Sequence, residues 1–153
     1  MIFLDILNIS IFRLSDTGAD PELRRSAIQS ADVVLLCFPV NELKEDNQED
    51  LKNTLKVFTE EVARSSSGKQ PCMILVGTKN DLKEEKKRAE QCWELAKALD
   101  AQEYLESSAV LNNNEVRELF QQVVKIRGAH EIKGKQQTAS SRNHCHILLY
   151  FRC

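Results

Sequence analysis

Four consecutive residues, Thr78-Lys79-Asn80-Asp81, have side chains suited to reading a flat heterocyclic base. The Lys79 side chain has a long apolar stem that can lie along the face of a ring. The Asp81 carboxylate can accept paired N–H donors of the kind that guanine carries on one edge. The residue types and their spacing therefore predict a base-binding loop.

This loop follows a segment with the pattern of a buried strand. Residues 72–77, Cys-Met-Ile-Leu-Val-Gly, form an apolar run that is short for a helix and typical of a strand covered on both faces. In parallel α/β sheets, ligands bind outside the carboxyl ends of the strands. We therefore expect the base-binding loop at that edge of a sheet.

A second segment, Leu105-Glu106-Ser107-Ser108-Ala109, supports this interpretation. Together with Val76–Leu82, it resembles the guanine-specificity elements of the Ras superfamily of small GTPases. The threonine at Thr78 is most similar to the Rho/Rac branch, and residues 31–40 resemble the strand that follows switch II in that branch. The resemblance covers about residues 8–127 and lacks the helical insert that typical Rho proteins carry.

The resemblance implies a site for GTP or GDP with Mg²⁺. The residues that would contact the base are Thr78, Lys79, Asp81, Ser108 and, through its backbone N–H, Ala109. In Asp16-Thr17-Gly18-Ala19, Asp16 stands where the family's switch II aspartate approaches Mg²⁺ through water, which makes it an indirect candidate on the metal side.

The switch II resemblance is incomplete. Without a gap, Ala19 and Asp20 occupy the positions of the family's glycine and of its water-orienting glutamine; with one residue deleted, Ala19 occupies the glutamine position. In both alignments hydrolysis lacks the residue that orients the attacking water. The same residues could equally form a turn in which Asp20 caps a helix that begins at Pro21.

The sequence contains no P-loop. Such a loop needs Gly-x-x-x-x-Gly-Lys-Ser/Thr between a strand and a helix, because its backbone N–H groups hold the phosphates. Gly68-Lys69 lacks both the first glycine and the Ser/Thr, and it precedes a strand. The family's first strand, first helix and switch I segment are missing too, as if the chain began at the family's second strand. We therefore expect weak or absent GTP binding and impaired hydrolysis.

The periodicity of the chain predicts an α/β fold of the P-loop NTPase (Ras-like) type, with a mostly parallel sheet flanked by helices and truncated at the amino terminus. The predicted elements are an antiparallel hairpin over 1–15, helices over 21–29, 47–63 and 89–99, strands over 31–38, 72–77 and 103–106, and a last helix from about 113 to Gly128. In the family, the first strand lies between the third and fourth. Its loss predicts a gap between two strand edges. Either the hairpin docks directly onto the strand at 31–38, or the domain is marginally stable, domain-swapped or completed by a partner.

Length and composition define two regions. With 153 residues, 42% of them hydrophobic, the chain suits one globular domain, and its net charge of −2 argues against a globally basic nucleic-acid binder. Residues 1–128 are predicted to be an incomplete GTPase-like domain and 129–153 a disordered, mildly basic tail.

The five cysteines show no ligand spacing, which favours reduced thiols in a cytoplasmic protein. Cys145-His146-Ile147-Leu148 would be a prenylation box, and hence a membrane anchor, only at a different carboxyl terminus.

These patterns predict a GTP-binding, small GTPase-like signalling protein that contacts effector or regulatory proteins and is impaired in nucleotide binding and hydrolysis. The alternative is a non-nucleotide interaction module, or an isoform fragment, that recruits a partner through an exposed sheet edge. All three histidines lie in the predicted tail, so no Ser/His/Asp or Cys/His catalytic set is expected.

Overall fold

The computed structural model describes residues 11–16, 20–44, 46–79, 87–108, 113–134 and 144–151. In chain order these residues form β1 (Ile11–Asp16), α1 (Pro21–Ser30), β2 (Val33–Pro39), a 3-10 turn (Val40–Glu42), α2 (Gln48–Ser65), β3 (Cys72–Thr78), α3 (Lys87–Ala98), β4 (Glu103–Ser107), α4 (Asn113–Gly134) and β5 (His144–Phe151). In this part of the chain, no helix is long and apolar enough to cross a membrane.

The strands form one sheet in the order β1-β5-β2-β3-β4. Each neighbouring pair is parallel, so the carboxyl ends of all five strands lie at the same edge. The prediction of a mostly parallel α/β sheet flanked by helices is confirmed.

Helices cover both faces of the sheet and create two apolar clusters. On one face, α1, α2 and α3 contribute Ile28, Leu51, Leu55, Phe58 and Leu95, which pack with Val34 and Leu36 of β2. On the other face, α4 contributes Phe120, Val123 and Val124, which pack with Val33, Leu35, Ile74 and Ile147. Successive strand residues point to opposite faces of the sheet. Because helices cover both faces, every residue of β2 is buried.

β5 lies near the centre of the sheet, between β1 and β2. Ile147 is the register partner of Leu14 on one side and of Val33 on the other. Cys145, Ile147 and Leu148 are at most 1% exposed. The gap predicted between two strand edges is therefore filled by the chain's own residues 144–151.

The predicted disorder of residues 129–153 is corrected by these elements. α4 continues past Gly128 to Gly134, and residues 144–151 are a strand; residues 135–143, 152 and 153 lie outside the described residues. The physical reason is that β1 and β2 would each present unpaired N–H and C=O groups, which an apolar segment of strand length satisfies.

Polar contacts fix β5 near its amino end. Asp32 Oδ2 accepts a hydrogen bond from the His146 backbone N–H at 2.9 Å, and the Asp32 N–H donates to the His146 carbonyl at 2.8 Å. Ser30 Oγ lies 2.8 Å from His146 Nδ1. Asp32 Oδ1 lies 3.3 Å from Lys69 Nζ and 3.8 Å from Arg127 Nη2. Both of these hydrogen bonds between Asp32 and His146 involve the His146 backbone, so Asp32 anchors the amino end of β5.

The predicted amino-terminal hairpin differs from the structure where it can be compared. Residues 11–16 form β1, which pairs in parallel with β5; residues 1–10, which would supply the other strand, lie outside the described residues. The prediction that this hairpin docks directly onto β2 is wrong, because β5 lies between β1 and β2.

Candidate functional site

The predicted base-binding residues that the structure describes, Thr78, Lys79 and Ser108, lie at the carboxyl edge of the sheet, at the ends of two neighbouring strands. Thr78 ends β3, Ser107 ends β4, and the two are register partners. The structure therefore brings Thr78 and Lys79 close to Ser108. Asp81 and Ala109 lie outside the described residues.

The residue that follows β3, Lys79, has an unusual backbone conformation. Thr78 Oγ1 donates a hydrogen bond to the Phe38 carbonyl at 3.2 Å, which links the ends of β2 and β3. Lys79 is exposed and has a φ of 56°, in the left-handed region. A residue with a Cβ adopts this conformation at a cost of about 1 kcal/mol. Strained residues of this kind are typical of binding loops.

Gly77 allows the side chains of Tyr104 and Val40 to lie against the backbone of β3. A Cβ on Gly77 would lie 2.5 Å from both Tyr104 Oη and Val40 Cγ1, so a larger residue would displace the ring. Tyr104 Oη donates a hydrogen bond to Glu106 Oε1 at 2.8 Å. Burial raises the pKa of Tyr104 well above its ordinary value, and therefore the hydroxyl keeps its proton.

The two serines at the carboxyl end of β4 have different environments. The Ser108 backbone N–H donates to Glu115 Oε2 at 3.0 Å, so it holds the loop to α4. Ser107 is 5% exposed, and its Oγ has no hydrogen-bond partner in the described part of the chain. Ser107 lies inside the motif that the sequence indicates, but the resemblance assigns it no ligand contact.

A cavity of about 730 Å³ lies below this edge, between the sheet and the amino-terminal half of α4. Its floor is apolar and includes Leu35, Cys37, Val76, Phe120, Leu149 and Phe151. Its polar lining residues are Glu42, Thr78, Lys79, Ser107 and Ser108. This volume and this ratio of apolar to polar groups are typical of small-molecule sites. Sequence reasoning missed Leu149 and Phe151, although residues 145–151 form an apolar run of strand length.

The cysteine in the cavity is not a nucleophile. Cys37 is 4% exposed, and burial raises the pKa of its thiol to about 12. Burial also raises the pKa of Cys72 to about 11, with a smaller contribution from Cys145 in the same direction. Both groups are neutral thiols near pH 7, whereas nucleophilic cysteines act as thiolates.

The residues at this edge fit a base better than they fit a Mg²⁺–triphosphate. Asp16 ends β1 opposite Leu149, and the register aligns that level with Ile74 of β3. Three strand spacings and four residues along β3 therefore separate Asp16 from Thr78, a distance of about 20 Å. In between, β5 presents Leu149 and Phe151, where a phosphate cradle needs converging backbone N–H groups. Among the described residues that line the cavity, Lys79 is the one cation. No group of three or more potential metal ligands occurs within the described ranges. Asp16 as a metal-side residue stays a prediction.

Asp20 has a structural task. Its Oδ1 accepts hydrogen bonds from the backbone N–H groups of Glu22 at 2.9 Å and Leu23 at 3.4 Å, and Pro21 is the first helical residue. The interpretation of Asp20 as a helix cap is confirmed. Residues 17–19 lie outside the described residues.

Comparison with protein-family models supports the resemblance to the Ras superfamily. The model of the Ras family matches residues 12–127, which is about three quarters of the chain and contains β2, β3, β4 and the cavity-facing part of α4. β5 lies beyond the matched residues. No curated protein gives a significant match.

Proposed function

Because the chain belongs to the Ras family, we propose that it is a small GTPase-like signalling protein, most similar to the Rho/Rac branch, that reads guanine at the carboxyl ends of β3 and β4. The observation that carries this proposal is that Thr78, Lys79 and Ser108, which all lie within the matched residues 12–127, line one cavity. By resemblance, Asp81 and Ala109 complete the base site. GTP and GDP with Mg²⁺ are the ligands that the family implies.

We further propose that GTP binding is weak and that hydrolysis is impaired. The sequence contains no P-loop, and Asp20 caps α1 instead of orienting water. Charge-assisted phosphate contacts are stronger than neutral ones, so a site without them loses most of the affinity that a triphosphate can provide. The apolar carboxyl end of β5 supports the same proposal.

The proposed partners are effector or regulatory proteins in the cytoplasm, with no nucleic acid among them. Residues 1–128 would be the GTPase-like domain, and residues 129–153 would include the strand that completes its sheet. Membrane association through Cys145 would require a different carboxyl terminus and the release of β5, in which Cys145 is buried. An interaction module that recruits a partner through the edges of β1 and β2 is not proposed, because β5 pairs with both of these strands.

Titration of the full chain with fluorescently labelled GDP, GTP and ATP tests the proposal, and we expect saturable binding of the guanine nucleotides only. Lys79→Ala should weaken it about five- to tenfold, since a cation against an aromatic face is worth roughly 1 kcal/mol. Lys79→Gly should weaken guanine-nucleotide binding to the same extent. The Lys79→Gly protein should be about 1 kcal/mol more stable than the Lys79→Ala protein, because glycine tolerates the positive φ.

Lys56→Ala is the matched control, since Lys56 is an exposed lysine on α2, which packs on the opposite face of the sheet from the cavity. It should leave nucleotide binding unchanged. Equal binding of ATP and GTP, or no binding of either at millimolar concentration, would contradict the proposal.

A further inference from the structure

In the described part of the chain, the two faces of the sheet are covered unequally. α1, α2 and α3 pack on one face, whereas α4 packs on the other, mainly against β3 and β4. Five strands make a sheet about 19 Å wide, and a helix with its side chains is about 10–12 Å across. α4 therefore covers only part of its face, although parallel sheets almost always have both faces covered.

The strand register shows that the open part of this face is an apolar trough. At one level Leu35 of β2 lies beside Leu149 of β5, and two residues further along, Cys37 lies between Phe151 and Val76. All five residues line the cavity, together with apolar side chains from the first half of α4. Phe151 is 49% exposed, so the described residues leave part of this apolar surface open to solvent.

The trough ends in a polar mouth at the carboxyl edge of the sheet. Pro39 and Thr78 are register partners there, and Lys79 follows Thr78. The four residue steps along β2 from Leu35 to Pro39 make the trough about 13 Å long. The charged residues among its described lining are Lys79 and Glu42, both of them exposed.

The shape and the charge of the trough fit a straight aliphatic chain with one carboxylate. Each methylene of an extended chain adds about 1.25 Å, so a trough of this length holds about ten of them. The acid group then lies at the mouth, where Lys79 provides one cation for one negative charge. A ligand with several negative charges would need several cations or backbone N–H groups.

We propose that the trough binds a free aliphatic monocarboxylate of about ten to twelve carbons, with its chain along Leu35 and Cys37 and its carboxylate at Lys79. The inference goes beyond the proposed function, because it assigns a second class of ligand to the apolar floor. A guanine base would share Lys79 with this acid, so the two ligands should compete.

Isothermal titration of the full chain with saturated monocarboxylates of six to fourteen carbons, below their micelle concentrations, tests the inference. The dissociation constant should fall about fourfold for each added methylene, the usual effect of burying one such group. It should level off at about ten to twelve carbons, because further methylenes extend beyond the trough.

The position of the carboxylate is tested at Lys79. Lys79→Ala should weaken decanoate binding about two- to fivefold, the range expected for an exposed ion pair. Binding of 1-decanol, which has the same chain and no charge, should be unchanged in this variant. Lys56→Ala, at an exposed lysine of α2, is the control and should change neither affinity.

The deep end of the trough is tested at Leu149, which is partly exposed and can accommodate a larger side chain. Leu149→Phe should fill the level of Leu35 and move the levelling point to chains about five carbons shorter, since the step from Leu35 to Cys37 is about 7 Å. Leu23→Phe, at an exposed leucine of α1, is the matched control and should keep the wild-type levelling point. The chain-length series on the wild-type chain needs no variant, so it decides the inference even if Leu149→Phe fails to fold.

The other outcomes separate this inference from the proposed function. If GDP binds while no monocarboxylate binds at millimolar concentration, or affinity rises without levelling off, the inference is overturned and the proposed function stands. If the acids bind as described and no guanine nucleotide binds, the proposed function fails and the inference stands. Decanoate that binds without displacing labelled GDP would overturn the placement of its carboxylate at Lys79.

Discussion

At the residue scale, Cys37 shows how burial determines the chemistry of a side chain. The thiol lines the cavity and lies 3.9 Å from the Leu35 carbonyl, to which it is a weak donor. Burial raises its pKa from 9.0 to about 12. The same surroundings that make the cavity a good place for a flat ring therefore keep this cysteine protonated and unreactive.

The raised pKa predicts that stability falls in alkaline solution. Between pH 9 and pH 12 the unfolded chain loses the Cys37 proton while the folded chain keeps it, so rising pH favours unfolding. We expect the urea midpoint of the wild-type chain to fall across the accessible part of this range, and Cys37→Ala to show a smaller fall. Val76→Ala, which also enlarges the cavity, removes no titrating group and should keep the wild-type slope. Equal slopes for Cys37→Ala and Val76→Ala would show that Cys37 contributes nothing to this dependence.

At the scale of elements, one carboxylate joins three parts of the fold. Asp32, at the start of β2, accepts a hydrogen bond from His146 of β5 and lies close to Arg127 of α4, which is 6% exposed. The ion pair with Lys69 adds little, since that lysine side chain is 63% exposed. The contacts to His146 and Arg127 therefore account for most of the stabilisation that Asp32 gives.

Substitution of Asp32 should loosen the anchor of β5. Asp32→Ala removes an acceptor and leaves buried Arg127 without this carboxylate, so we expect a loss of about 3 kcal/mol in the free energy of unfolding. Asp32→Asn keeps an acceptor for the His146 N–H and should lose about half as much. Asp46→Ala, at an exposed aspartate, is the control in urea unfolding. A loss for Asp32→Ala no larger than that control would contradict the anchoring role.

The elements that sequence reasoning could identify are those with a local signal. The run of residues 72–77 and the spacing of Leu51, Leu55 and Phe58 predict β3 and the buried face of α2, and both are confirmed. β5 has a comparable apolar run, but its partners Val33 and Leu14 lie more than 100 residues away in the chain. Periodicity carries no information on such pairing, and the polar stretch before the run favoured disorder.

The candidate site could be predicted in part for the same reason. Thr78 and Lys79 are adjacent in the sequence, and their residue types indicate base binding without any knowledge of the fold. Ser107 and Phe151 acquire their places in the cavity only when β4 and β5 are in the sheet. The apolar floor therefore depends on the topology of the chain, and it could not be read from the motif.

At the scale of the whole molecule, the sheet is completed by the last element described. β5 hydrogen-bonds to β1 on one side and β2 on the other, and it contributes Ile147 to one apolar cluster and Leu148 to the other. β1 pairs with β5 and with no other described strand. Removal of β5 would therefore detach β1, uncover both clusters and expose two strand edges.

A chain that ends after Asn143 should not fold stably by itself. Burial of Ile147 and Leu148 alone is worth about 3–6 kcal/mol, a large share of the 5–15 kcal/mol that stabilises a typical domain. We expect loss of the cooperative thermal transition, measured by circular dichroism, and concentration-dependent aggregation. A synthetic peptide of residues 144–153 should restore the transition, because it can pair with β1 and β2 in the same register. The same peptide with Ile147→Asp and Leu148→Asp should fail to restore it, since both of its faces are buried in the sheet. A truncated chain that melts at the wild-type temperature without peptide would show that the rest of the fold is stable without β5.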